Sequence, residues 1–251
     1  DPTVLCIHQD KATGQIWIGT DGEGINRYDP KTSKFTHYSS TFKSKIVSIA
    51  DYSDTELAIS ISGDNIRIFN KATGATRPIN INDKIFQHSI KHSGQSINIT
   101  NEYDGDLLLF SNSISRYDKR TGKCLPITIN GKKKIGSDLL TIGRTKDGTW
   151  FHADAELYFL KDNAVDMTLK GRHEHGTIRC GNLAANGTIW MATDDGLCRY
   201  DTQTGEFSHI KTKIFSEANS VICDKRSRVW VGTEKRLAAY LAESGSFAVF
   251  G

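Results

Sequence analysis

Short apolar runs and polar turns alternate along the whole chain, and the same phrases return. IWIGT around Trp17, TWFHA around Trp150, IWMAT around Trp190 and VWVGT around Trp230 place all four tryptophans in one recurring slot. LAIS around Ala58 and LLLFS around Leu108 fill that slot in weaker form, giving steps of 41, 50, 42, 40 and 40 residues. A second phrase follows each: RYD at Arg27–Asp29, Arg116–Asp118 and Arg199–Asp201, IFN ending at Asn70, LYFL at Leu157–Leu160 and AAYL at Ala238–Leu241. A third is a turn, KATG at Lys71–Gly74, KRTG at Lys119–Gly122, TQTG at Thr202–Gly205 and AESG at Ala242–Gly245. Each tryptophan-type phrase is preceded by an alternating run: VLCI, IVSI, INIT, LLTI, TIRC and SVIC.

Each unit therefore predicts four short strands. The first alternates apolar and small residues, the second is apolar throughout as a strand covered on both faces should be, and the third ends in an aromatic. The fourth is a run such as FTHY at Phe35–Tyr38 or FAVF at Phe247–Phe250. The Asp or Asn closing the third strand can accept backbone N–H bonds in the next turn, where a glycine supplies positive φ. EKRLAAYLAE, residues 234–243, is rich in helix formers but falls in the third-strand slot with Tyr240 aligned to Tyr200 and Tyr28, so it is read as strand. Four-stranded units at a period of roughly 40 residues indicate an all-β chain, a β-propeller of six four-stranded antiparallel blades. Trp and Tyr of strands two and three are expected to fill the space between blades. The expected blades are 1–40, 41–82, 83–130, 131–170, 171–212 and 213–251, together one domain over 1–251. The alternative is six blades of a seven-bladed or tandem propeller.

Composition changes this picture little. With 37% hydrophobic and 24% charged residues and a formal charge of +3, the chain is of ordinary globular type. The tightest basic cluster, Lys132–Lys134, lacks interleaved aromatics and a basic helix, so nucleic acid is not expected as a partner. No apolar run reaches the roughly 20 residues of a membrane span. The first residues, DPTVLCIHQD, do not read as a signal peptide, so the chain reads as a mature or excised domain. Five cysteines with no CxxC pair indicate neither a disulfide framework nor a zinc site.

The stretch HQDKATGQIWIGTDGEGINRYDPKTSKFTHY resembles the two-component-regulator propeller repeat. Repeat 1 matches throughout, repeat 5 (IWMATDDGLCRYDTQTGEFSHI) nearly so, and repeat 6 keeps VWVGT and the last turn. Repeats 2 and 3 lack IWIGT, and repeats 2 and 4 lack RYD. The resemblance implies the extracytoplasmic sensor region of a Bacteroides-type hybrid two-component system, periplasmic and non-catalytic, which detects breakdown products of polysaccharides; the alternatives are a propeller-fold lyase or hydrolase acting on glycans, and a passive interaction scaffold. It implies an oligosaccharide or other small molecule as signal. Implied partners are a neighbouring propeller or immunoglobulin-like domain of the same protein and a second copy of the sensor, with a kinase elsewhere in the full chain. Such sensors usually carry two tandem seven-bladed propellers; this chain shows six repeats.

Gly19, Gly22 and Gly24 mimic a phosphate loop, but a strand follows where a helix is required, so a hairpin turn is expected. TKDGTW at 145–150 evokes a sialidase Asp-box but reads as an ordinary turn. No GxSxG, HExxH or SxxK motif marks a nucleophile or metalloprotease centre, and no cofactor is expected. Ligands of propellers usually meet the turns between strands two and three and the inter-blade segments. Those carry the candidate ligand-binding residues Asp21, Glu23, Asp64, Asp194 and Asp195, and Phe86 and His88 in the insertion at 80–95. Arg172, His173 and His175 in GRHEHG complete the set. In an extended segment His173 and His175 face one way, but no third ligand is identifiable, so a carbohydrate contact is favoured and no metal is expected.

Overall fold

The computed structural model describes residues 3–38, 42–64, 66–79, 81, 97–101, 105–110, 114–131, 139–242 and 244–250. All regular elements among them are strands. The chain divides into two compact units, 1–128 and 129–251.

The first unit opens with the meander β1 (Val4–Gln9), β2 (Ile16–Thr20), β3 (Ile25–Asp29) and β4 (Lys34–Tyr38). A second follows, β5 (Ile46–Asp51), β6 (Glu56–Ile61), β7 (Arg67–Asn70) and β8 (Thr76–Pro78), then a third, β9 (Asn98–Asn101), β10 (Leu107–Phe110), β11 (Ile114–Tyr117) and β12 (Cys124–Ile129). The second unit repeats the plan. It runs through β13 (Leu140–Arg144), β14 (Gly148–Ala153), β15 (Glu156–Lys161) and β16 (Asp166–Arg172), then β17 (Ile178–Leu183), β18 (Thr188–Thr193), β19 (Gly196–Asp201) and β20 (Phe207–Ile210). It ends with β21 (Ser220–Cys223), β22 (Val229–Gly232), β23 (Leu237–Leu241) and β24 (Ser246–Phe250). Every pairing within a meander is antiparallel.

Six separate blades were expected; the described strands instead form four sheets of four strands and one larger sheet. The longest fourth strands are β12, of six residues, and β16, of seven. Residues 237–241 are strand despite their helix propensity, because Ala238 and Ala239 are buried opposite Val231 and Trp230.

The recurring phrases have recurring jobs. The tryptophan of one repeat meets the third-strand aromatic of the next: Trp17 with Phe69 at 5.5 Å, Trp150 with Tyr200 at 5.7 Å and Trp190 with Tyr240 at 5.4 Å between ring centroids. These contacts sit within the apolar clusters that join successive sheets of each unit. Trp230, in the last sheet, packs instead on Phe250 and Arg228. The threonine ending IWIGT, IWMAT and VWVGT closes the following turn: Thr20, Thr193 and Thr233 donate from Oγ1 to the carbonyls of Gly24, Gly196 and Arg236 at 2.8–3.1 Å. Asn70, Asp118 and Asp201 each accept two backbone N–H bonds of the next turn through Oδ1. The glycines Gly74, Gly122 and Gly205 then take positive φ. Of the opening glycines, Gly22 and Gly24 reverse the chain with φ of 83° and 80°. Gly19 has another reason: a Cβ there would lie 2.6 Å from both Cys6 Sγ and Ile46 Cγ2, so it permits the second sheet to approach.

Candidate functional site

The turns after second strands and the segments leading to the next sheet carry the site chemistry of the second unit. After β16 the chain bends through 173–177, and Gly176 (φ 80°) lets Asp194 Oδ1 accept the Thr177 N–H at 2.8 Å. A side chain on Gly176 would collide with that carboxylate. The β18–β19 turn is held by Thr193, whose Oγ1 also accepts the Asp195 N–H at 3.2 Å. His209 of β20 lies beneath this turn, its side chain 8% exposed and its Nε2 donating to the Asp195 carbonyl at 2.7 Å. Its Nδ1 is buried without a partner. His175 stacks on His209 with centroids 4.2 Å apart. Asp195 Oδ2 lies 3.8 Å from His175 Nδ1 and 3.9 Å from His209 Nε2.

His173 departs from the expected alternation. It is buried, with Nε2 2.7 Å from Cys198 Sγ, while Nδ1 accepts the His175 N–H at 3.3 Å. The bend at 174–176 breaks the extended geometry that would have aimed both histidines one way. Burial lowers the His173 pKa and raises that of the Cys198 thiol to about 12, so both are neutral. Arg172 is a surface residue, 3.9 Å from Glu156 Oε1.

Beside this cluster the segment 213–219 and the β22–β23 turn border an open groove of about 650 Å3. Arg179, Lys213, Lys235 and Arg236 line it together with Glu217 and Glu234. Phe215 supplies an aromatic wall. Arg179 is fixed by Asn219 Oδ1 at 2.7 Å and Glu217 Oε2 at 2.8 Å.

In the first unit Asp21 and Glu23 occupy the turn after β2, where Asp21 pairs with Lys45 at 2.8 Å. Asp64, after β6, pairs with Arg67 at 3.2 Å. Phe86 and His88 lie outside the described residues. The structure thus brings His173, His175, Asp194 and Asp195 together and adds His209, which sequence reasoning missed because it arrives from a fourth strand.

A second polar cluster, also missed, lies in the first unit. Lys71 Nζ sits 3.0 Å from Asp10 Oδ2 and 3.7 Å from Asp51 Oδ1, and donates to the carbonyls of Ser53 and Asp54 at 3.1 and 3.2 Å. His8 Nε2 completes it, 3.0 Å from Asp51 Oδ1. Burial raises the Asp10 and Asp51 pKa values, but the bonds from Lys71, Thr13 and Ala12 to Asp10, and from His8 to Asp51, outweigh it and hold both carboxyls low.

No protein-family model matches the chain, and no curated protein matches it. Solved structures do. The extracellular domain of BT4673 from B. thetaiotaomicron, named as a one-component or hybrid two-component system, superposes with a TM-score of 0.69 at 15% identity. That match covers 95% of this chain and 38% of the other. The extracellular domain of the hybrid two-component system BT3049 from the same organism gives 0.64 at 20%, over 99% and 35%. Virginiamycin B lyase from Staphylococcus aureus gives 0.78 at 15%, over 100% and 84%. The fold is propeller-like. It is all-β, built from four-stranded antiparallel units, and this chain spans just over a third of the two sensor domains. Among the described residues no helix is long and apolar enough to cross a membrane.

Proposed function

We propose that the chain is part of the periplasmic sensor region of a two-component signalling protein and binds an oligosaccharide, itself without catalysis. The observation that supports this most is the groove at Arg179, Lys213, Lys235 and Arg236: it is open, of ligand size and rich in donors and acceptors beside an aromatic wall. It opens where turns after second strands meet inter-sheet segments, the surface on which a propeller presents its most variable side chains. The repeat phrases and the likeness to extracellular domains of Bacteroides systems agree with a sensor role. Bound saccharide shifts the population of arrangements that this chain forms with a neighbouring propeller, an immunoglobulin-like domain or a second copy, and so the state of a kinase in the same protein.

Calorimetry against an oligosaccharide panel tests this. Lys235→Ala with Arg236→Ala is expected to weaken binding at least about 10-fold, the effect of about 1.4 kcal/mol. Undiminished affinity in that variant, or no binding by any saccharide, would sink the proposal. A second reading, a propeller lyase, draws on the higher TM-score and fuller coverage of virginiamycin B lyase. Turnover of any panel member by the wild-type chain decides for it.

A further inference from the structure

We propose that His175, Asp195 and His209 bind one divalent ion of the zinc class. The donor set is two imidazole nitrogens and one carboxylate oxygen, which suits Zn²⁺, Co²⁺ or Ni²⁺ rather than Ca²⁺ or Mg²⁺, whose shells are made of oxygen. The three ligand atoms already lie within 4.8 Å of one another. Around a tetrahedral ion with bonds of about 2.0–2.2 Å, ligand atoms are about 3.3–3.6 Å apart, so the cluster closes by roughly 1 Å. Asp195 Oδ2, at 3.8 and 3.9 Å from the two nitrogens, is close to that spacing from both.

Neighbouring groups are committed elsewhere. Asp194 Oδ1 holds the Thr177 N–H, and His173 is turned inward on Cys198. Asp195 has no Lys or Arg partner among the described residues. His209 is the fixed member: its ring is almost fully buried, its Nε2 is held on the Asp195 carbonyl at 2.7 Å, and its Nδ1 has no hydrogen-bond partner. Binding at Nε2 replaces the bond to the Asp195 carbonyl and moves the ring proton to Nδ1. His175 is the adjustable member. It sits next to Gly176, is 44% exposed, and must rotate out of its stack to aim a lone pair at the ion. Asp195 is 60% exposed, so the fourth position opens to solvent, ready for water or an oxygen of an arriving ligand.

The inference does not depend on the saccharide reading, because the metal alone is the probe. Chelator-treated, tag-free protein is titrated with Zn²⁺ by calorimetry and with Co²⁺ by visible absorption. One ion per chain and a tetrahedral Co²⁺ spectrum are expected, with no response to Mg²⁺ or Ca²⁺. Asp195→Asn, an exposed change that spares the fold, should lower Zn²⁺ affinity about 100-fold, as should His175→Ala and His209→Ala. Asp194→Asn and Cys198→Ser should bind as the wild type does. No stoichiometric binding, or affinity unchanged by Asp195→Asn, overturns the site; loss of binding in Cys198→Ser overturns it in favour of the His173–Cys198 pair.

Discussion

The two polar clusters, one in each unit, contain nearly the same chemistry and resolve it oppositely. In the first, Asp10, Asp51 and two backbone carbonyls converge on the ammonium of Lys71, a cation supplied by the chain itself. In the second, a carboxylate and two histidines converge with no lysine or arginine among the described residues to meet them. The first is sealed, with the Asp10 side chain at 0% and Lys71 at 9% exposure; the second keeps Asp195 at 60%. A cluster completed from within holds strands together, whereas one left incomplete at the surface is where something from outside can be held.

If that contrast is real, removing the internal cation should cost most. Lys71→Met leaves Asp10 buried without its counter-charge and should destabilise the protein by about 3–5 kcal/mol, read from urea midpoints. A loss below about 1 kcal/mol would mean that the first cluster is no more structural than a surface pair.

Acid should separate the units next. Asp10 and Asp51 have lowered folded-state pKa values, so what they contribute is present above the unfolded value and is lost only as pH falls through the folded ones. His152 in the second unit acts in the same direction, but at higher pH. It is buried with neither ring nitrogen hydrogen-bonded, and burial lowers its pKa from 6.5 to about 4. Between those values the unfolded chain binds more protons, so stability falls as pH drops from 6.5 towards 4. Moving from neutral pH to about 5 should cost the wild type about 2 kcal/mol more than it costs His152→Ala. Equal losses in both proteins would show that another group takes up the proton.

The smallest effect is expected at the open cluster. Asp195→Asn should change stability by no more than about 0.5 kcal/mol in the absence of metal. A cost comparable to that of Lys71→Met would make the second cluster structural like the first.

Much of the fold was legible because its signals are local. The tryptophan slot, the Asp or Asn closing a third strand and the glycine two to four residues on each act through hydrogen bonds or contacts that a short phrase determines. The strand at 237–241 was legible only through register, since its propensity points to helix. The site was less so. Asp195 belongs to a recognisable turn, but His209 joins it through the pairing of Cys198 with His209, which no spacing in the chain reveals. His173 and His175 misled, because the period-two rule fails where Gly176 bends the chain. His152 stands where other repeats have Gly19, Ala192 and Gly232, a substitution visible on alignment of the repeats but without a meaning until its unpaired burial was seen.

The pairing of each tryptophan with the aromatic of the following repeat bears on how such a chain changes over generations. Trp17, Trp150 and Trp190 each find their partner at the same position one repeat onward, in Phe69, Tyr200 and Tyr240. Duplicating or deleting a whole repeat restores the match, since the next copy offers an aromatic in the same place. A gain or loss of half a repeat strands an indole against the wrong strand. Whole repeats of about 40 residues are therefore the units that can be added or removed without leaving an indole unpaired.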